Sequence, residues 1–174
     1  MKILDKEHEC SYFPKGANVF VVDINNKFMT EAKEIARLSN ERQQPVGSVL
    51  VCDGEIVEIT HNRSPLANDF LVKLHQKFCV RHFLGVPTGV HYWMCPGCAS
   101  KKSHAEYQAS KQFLKKNIKN KPVDVYMWGH WACCDVCCEA MSEIPVDNFY
   151  VLESGDILFD PKKEGNIIGK QFDI

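Results

Sequence analysis

From Lys27 to about Glu41 the apolar positions Phe28, Met29, Ala32, Ile35, Ala36 and Leu38 return every three or four residues. That spacing predicts an amphipathic helix. Residues 17–24 (ANVFVVDI) read as a strand. Val46–Val51 and Ile56–Ile59 are β-branched runs parted by Asp53-Gly54, a dipeptide that supplies the positive φ angles of a tight hairpin. Further on the pattern alternates: a helix from about Ala105 to Lys116, a strand over Val123–Trp128, a helix over about Asp135–Ser142, and a strand over Val146–Leu152. This order implies parallel crossovers and an α/β layer fold. Residues 1–16, with Pro14 and Gly16 among scattered charges, read as an irregular lead-in, and the run Asn117–Lys121 as a solvated loop.

Between these patterned ends lies a segment, about 61–103, that holds most of the histidines together with Cys79, Cys95 and Cys98. Its helical character is confined to Leu66–Phe83. A structureless loop of that length is unusual unless it binds something, so the segment reads as one Cys/His-rich insertion within a single domain spanning 1–174.

Composition narrows the function. A chain of 174 residues with 45% hydrophobic and 25% charged residues is long enough for one sizeable core. The formal net charge of -1 argues against duplex nucleic acid as partner and suits a small-molecule substrate. No apolar stretch approaches the roughly 20 residues of a membrane-spanning helix, and the charged start MKILDKEHEC does not resemble a secretory signal. A cytoplasmic protein without membrane partners is expected. Nine cysteines, several of them clustered, then suggest metal ligands rather than disulfides.

The chemistry concentrates in His104-Ala105-Glu106 and Cys134-Asp135-Val136-Cys137. Two residues apart on a helix lie about 200° from each other, so His104 and Glu106 address one ion only from a helix's first turn. Cys134 and Cys137, three apart, share a helix face. With both helix N-termini aimed at the ion, their partial positive charge favours thiolates. One His and two Cys fill three tetrahedral positions of zinc and leave the fourth for water, as a catalytic site requires. Cys133 and Cys138 are expected to be small packing residues.

These motifs resemble the cytidine and deoxycytidylate deaminase superfamily, for which H-x-E followed by P-C-x-x-C is the zinc pattern. The likeness extends over roughly 27–153. Phe28-Met29, Pro45-Val46-Gly47-Ser48-Val49 and His61-Asn62-Arg63-Ser64-Pro65 are similar to the deoxycytidylate (dCMP) deaminase branch. The resemblance implies a three-layer α/β/α fold with a mixed five-stranded sheet, assembly as a homo-oligomer, zinc on His104, Cys134 and Cys137, and Glu106 as proton shuttle. It implies hydrolysis of dCMP to dUMP with release of ammonia. Asn62, Arg63, Ala105 and Trp131 become candidate substrate contacts. Arg63 either reaches a phosphate or faces solvent, and Trp131 either stacks on the base or packs in the core. The usual proline before the first cysteine is here Cys133, so the fixed φ that starts that helix is absent.

Cys95-Pro96-Gly97-Cys98 has the form of a clip for structural zinc, with Cys79, His82 and His91 near enough in sequence to complete it. Arg81, Lys101 and Lys102 flank it and are weaker candidates for a phosphate contact. Two other readings stand beside dCMP deamination. One is a deaminase of single-stranded polynucleotide, suggested by Trp131 alone. The other is a non-catalytic module in which Cys95, Cys98, Cys134 and Cys137 share a single zinc and His104 and Glu106 have no task.

Overall fold

The computed structural model describes residues 2–4, 13–41, 44–86, 91–98, 100–116, 118 and 121–173. Six strands form one sheet in the order β1-β2-β6-β5-β3-β4. They are β1 (Lys2–Leu4), β2 (Asn18–Val22), β3 (Gly47–Cys52), β4 (Glu55–His61), β5 (Val123–Trp128) and β6 (Val146–Leu152). Strands β2, β6 and β5 run parallel, while β3 lies antiparallel to both β5 and β4. These five make the expected mixed sheet. Strand β1 adds a sixth, antiparallel to β2, so the lead-in is extended over residues 2–4. The rest of that expectation at residues 1 and 5–12, and most of the loop expected at 117–121, lie outside the described residues.

Strand alternation builds two cores. Leu50, Val125, Met127, Phe149 and Val151 point to one side and meet Ala105, Ala109 and Phe113 of α4 (Ala105–Phe113) and Cys137, Cys138 and Met141 of α5 (Asp135–Ser142). Their strand neighbours Val49, Val51, Tyr126, Trp128 and Leu152 face the other way, onto Met29, Ala32 and Ala36 of α1 (Lys27–Ala36). The result is helix, sheet, helix. Helix α1 approaches the sheet so closely that a Cβ at Gly47 would come within 2.0 Å of the Ala32 carbonyl oxygen.

The hairpin turn is as expected: Asp53 (φ 51°) and Gly54 (φ 79°) both take the left-handed conformation of a type I′ turn. Helix α1 stops at Ala36, short of the predicted Glu41, because the next polar residues serve tertiary contacts. Ser39 Oγ donates to Asn62 Oδ1 (2.7 Å) and Asn40 Oδ1 accepts from the Ser64 amide (2.8 Å). In the insertion, helix α2 (Asp69–Lys77) and helix α3 (Val80–Phe83) are separated by extended backbone at Phe78 and Cys79. Short 3₁₀ turns at Tyr92–Met94, Pro96–Cys98 and Lys101–Ser103 then lead into α4.

After β6 comes a segment with no counterpart in the sequence reading. Helix α6 (Gly155–Leu158) and the turns that follow fold under α1. Phe159 packs edge-on against Trp128 with ring centroids 5.4 Å apart. The Arg37 guanidinium lies over Phe172, and Gln171 is buried.

Candidate metal centres

Strand β5 ends at Trp128, and the turn after it delivers Cys134 to the first position before α5. His104 stands in the same place before α4. Both are N-cap residues, where a side chain ordinarily bonds to the helix's free amides. Neither side chain caps its helix. They turn towards each other instead: Cys134 Sγ lies 3.4 Å and Cys137 Sγ 3.5 Å from His104 Nδ1. Zinc–nitrogen and zinc–sulfur bonds of ordinary length at a tetrahedral angle require an N···S separation of about 3.6 Å. The spacing therefore fits one zinc ion, with Nδ1 as the ligand atom and three protein donors in all.

The electrostatics agree. Cys134 is pulled down to about 4, first by its hydrogen bond with Cys137 and then, against burial, by His104. Cys137 is pushed up by the same bond and by burial, so the pair shares one proton that a dication displaces on binding. The Glu106 carboxyl, 5% exposed, is raised by burial despite the opposing pull of His104. His130 is held down to about 4 by burial and by the charge of His104, and its Nδ1 accepts from the Ala132 amide (3.3 Å). It is a neutral neighbour of the site. Cys133 and Cys138 bond to each other within the core below α5.

A second cluster joins His75, Cys79, Cys95 and Cys98. Here His75 Nε2 is 3.3 Å from Cys98 Sγ, and Cys79 Sγ is 3.6 Å from Cys98 Sγ and 3.9 Å from Cys95 Sγ. A tetrahedral zinc spaces its sulfurs by about 3.8 Å. All four corners are filled by protein, the pattern of a structural site. The histidine expected here is corrected: His75, on the buried face of α2, takes the place assigned to His82 or His91. His82 is exposed on α3, and His91 caps a 3₁₀ turn with its ring against Trp93. Extended backbone at Phe78 and Cys79 turns the chain back towards the cluster. Gly97 has no side chain because a Cβ there would strike the His75 ring at 2.2 Å.

Burial opposes ionisation of Cys95, but backbone amides of Val80 and Gly97 outweigh it and lower its thiol. Cys98 goes the other way, up to about 12, chiefly through burial. Arg81 bonds to Cys98, and its guanidinium stacks over Tyr92 at 4.1 Å. The Tyr92 ring in turn packs edge-on against His104, 5.2 Å between centroids. The two clusters are thus linked through contacting side chains. We expect two zinc ions per chain on elemental analysis, with one surviving mild chelation because its four ligands leave no open corner to a competing chelator.

The other expected residues fall as follows. Asn62 Oδ1 accepts from the Val46 amide (2.8 Å) and Ser39 Oγ, and its Nδ2 donates to the Gln44 carbonyl (2.9 Å). One amide proton has no partner among the described residues. Ala105 is fully buried, its carbonyl accepting from Thr60 Oγ1 (2.8 Å). Trp131 is half-buried against the core beneath α5. Of the basic residues, Arg81 is buried at Tyr92 and Lys101 pairs with Asp135 at 2.7 Å. Arg63 and Lys102 remain, exposed, and both line two adjoining depressions of about 510 and 480 Å³ beside the start of α4.

The family model of the cytidine and deoxycytidylate deaminase zinc-binding region matches residues 22–153. No curated protein matches the chain. The match includes both helix starts, all three donors of the first cluster and the whole of the second. Among the described residues, no helix is long and apolar enough to cross a membrane.

Proposed function

Because the chain belongs to the cytidine and deoxycytidylate deaminase family, we propose that it hydrolyses the amino group of a cytosine nucleotide, dCMP in preference, releasing dUMP and ammonia. The observation that carries this reading is the convergence of His104 Nδ1 and the sulfurs of Cys134 and Cys137 beside the buried Glu106. When bound there, zinc supplies the Lewis acidity that makes water nucleophilic near neutral pH.

The chain's own residues then handle protons and position. Glu106, raised by burial, takes a proton from the attacking water and returns it to the pyrimidine N3. Once C4–O has formed, Glu106 takes the proton of the added hydroxyl and passes it to the amino nitrogen, the C4–N bond breaks as the C4 carbonyl forms, and ammonia leaves. The cytosine becomes uracil, and water supplies the oxygen. Ala105 and Glu106 open α4, so its free amides and dipole favour the negative charge that builds at this end. The free amide proton of Asn62 serves the sugar, and Trp131 borders the base.

The preference for a monophosphate rests on Arg63 and Lys102, exposed cations with no side-chain partner among the described residues and close in sequence to Asn62 and His104; the two depressions they line include no metal donor and neither Glu106 nor Trp131. Replacing Arg63 by alanine is expected to raise KM for dCMP about 10- to 100-fold, the value of one charge-assisted hydrogen bond, with little change for deoxycytidine. Steady-state kinetics on both substrates checks this; equal losses on both would remove the phosphate role. Ammonia release on dCMP, CMP, dCTP, cytidine, deoxycytidine and single-stranded DNA tests the whole reading, with zinc counted in parallel. Turnover on none of them overturns it. Preference for DNA favours the polynucleotide reading, which only Trp131 supports.

A further inference from the structure

Tyr92 is bonded to one metal cluster and packed against the other. It opens the 3₁₀ turn Tyr92–Met94, which is closed by a bond from the amide of the cluster ligand Cys95 to the Tyr92 carbonyl (3.3 Å). Its ring lies under the Arg81 guanidinium, 4.1 Å from the centroid. Arg81 is buried on α3, two residues past the ligand Cys79, and bonds to the ligand Cys98. The same ring meets His104 edge-on, with centroids 5.2 Å apart and planes at 69°. Just before it, His91 has φ 50°. Residues other than glycine seldom take that left-handed conformation, which persists where the surroundings over-determine the backbone.

His104 depends on such a neighbour. A ligating histidine is ordinarily oriented by a hydrogen bond from its second ring nitrogen. Among the described residues, the hydrogen-bonding neighbours of the His104 ring are the two cysteine sulfurs, both at Nδ1. Nor does the ring cap α4. What the backbone leaves open is rotation of the ring about its side-chain bonds, which would swing Nδ1 away from Cys134 and Cys137, and the packed Tyr92 ring opposes that rotation.

We propose that Tyr92 is a positioning residue for the zinc ligand His104, and that through Tyr92 the filling of the four-donor cluster raises metal affinity at the three-donor site. Joined on one ion, Cys79, Cys95 and Cys98 hold α3, the 3₁₀ turn and Arg81 in a single arrangement, and so fix the ring that Tyr92 presents to His104. The coupling is reciprocal: occupancy of the three-donor site tightens the cluster by the same factor. Outer-shell partners of a ligating histidine contribute about 10- to 100-fold in metal affinity. A packing contact in place of a hydrogen bond belongs at the low end, about 10-fold. The inference concerns metal affinity and is independent of the substrate.

Titration of the metal-stripped full chain with zinc against a chromogenic chelator, and with cobalt(II) to read ligand geometry at each site from its absorption bands, tests it. Tyr92→Leu is expected to weaken the three-donor site about 10-fold and to shift its cobalt bands, with the four-donor site still filled. Tyr92→Phe should restore both, because the ring and not the hydroxyl makes the contact. Cys95→Ser/Cys98→Ser, which empties the cluster, should weaken the three-donor site by the same factor, and adding Tyr92→Leu to it should cost little more, as expected when two changes break one link. Should the serine variant fail to fold, the two Tyr92 variants decide alone, since both keep every donor. A three-donor site with unchanged affinity and bands in Tyr92→Leu overturns the proposal. So does full affinity there with the cluster empty, or an equal loss in Tyr92→Phe and Tyr92→Leu. A wild type that takes up no metal would overturn the assignment of both centres as well.

Discussion

Glu106→Gln is expected to lower kcat by at least about 10³-fold while both metal ions stay bound. A general acid–base contributes about 10²- to 10⁴-fold, and here one carboxyl takes up the proton and gives it back, so its removal affects both halves of the reaction. Glutamine keeps the volume and one acceptor oxygen but cannot carry a proton. The measurement is ammonia release together with zinc content. Normal turnover would remove Glu106 from the reaction, whereas loss of metal would make it a structural residue. The same substitution has a pH signature in the metal-free protein. Burial raises the Glu106 carboxyl, so the folded state favours its protonated form. The stability that proton gives is complete below the unfolded carboxyl value and is lost as pH rises through the raised folded value. Glutamine is neutral throughout. Its melting temperature should therefore match wild type in acid and exceed it progressively as pH climbs towards neutrality.

Serine at Cys134 or Cys137 is expected to take the metal content from two ions to one, whereas serine at Cys133 or Cys138 leaves both. The four thiols lie within six residues, but only the first two turn to His104 Nδ1, at 3.4 and 3.5 Å. The other two bond to each other in the core. Apparent zinc binding energies of about 10–16 kcal/mol shared over three protein donors give each about 3–5 kcal/mol, or about 10²- to 10⁴-fold in affinity. Dialysis followed by elemental analysis reads the difference directly. The reverse pattern, with metal lost on changing Cys133 or Cys138, would overturn the ligand assignment.

Much of this centre was legible because helix geometry restricts it. His-x-Glu cannot serve one ion from mid-helix, and the structure starts α4 at the residue after His104. The strand and helix limits over 123–152 agree with the pattern because each element buries an alternating or i,i+3 face. Where the chain departs from periodicity, sequence reasoning weakens. His75 was missed because the search ran outward from Cys95-x-x-Cys98 to the nearest histidines. The usable signal was its i,i+4 relation to Cys79 at the end of a predicted helix. The early end of α1 depends on Ser39 and Asn40 bonding to the distant segment 62–64, which no local pattern reports. Strand β1 has three residues and is defined only by its neighbour.

The closing segment under α1 sets a limit on how this protein can be cut. The family match ends at residue 153, yet the layer beneath α1 is finished by Phe159, Gln171 and Phe172. A fragment trimmed to the matched boundaries would leave Trp128 and Leu152 facing water, keeping every metal donor while baring the hydrophobic floor of the domain. For expression or fusion work, the smallest workable unit is longer than the signature that identifies it.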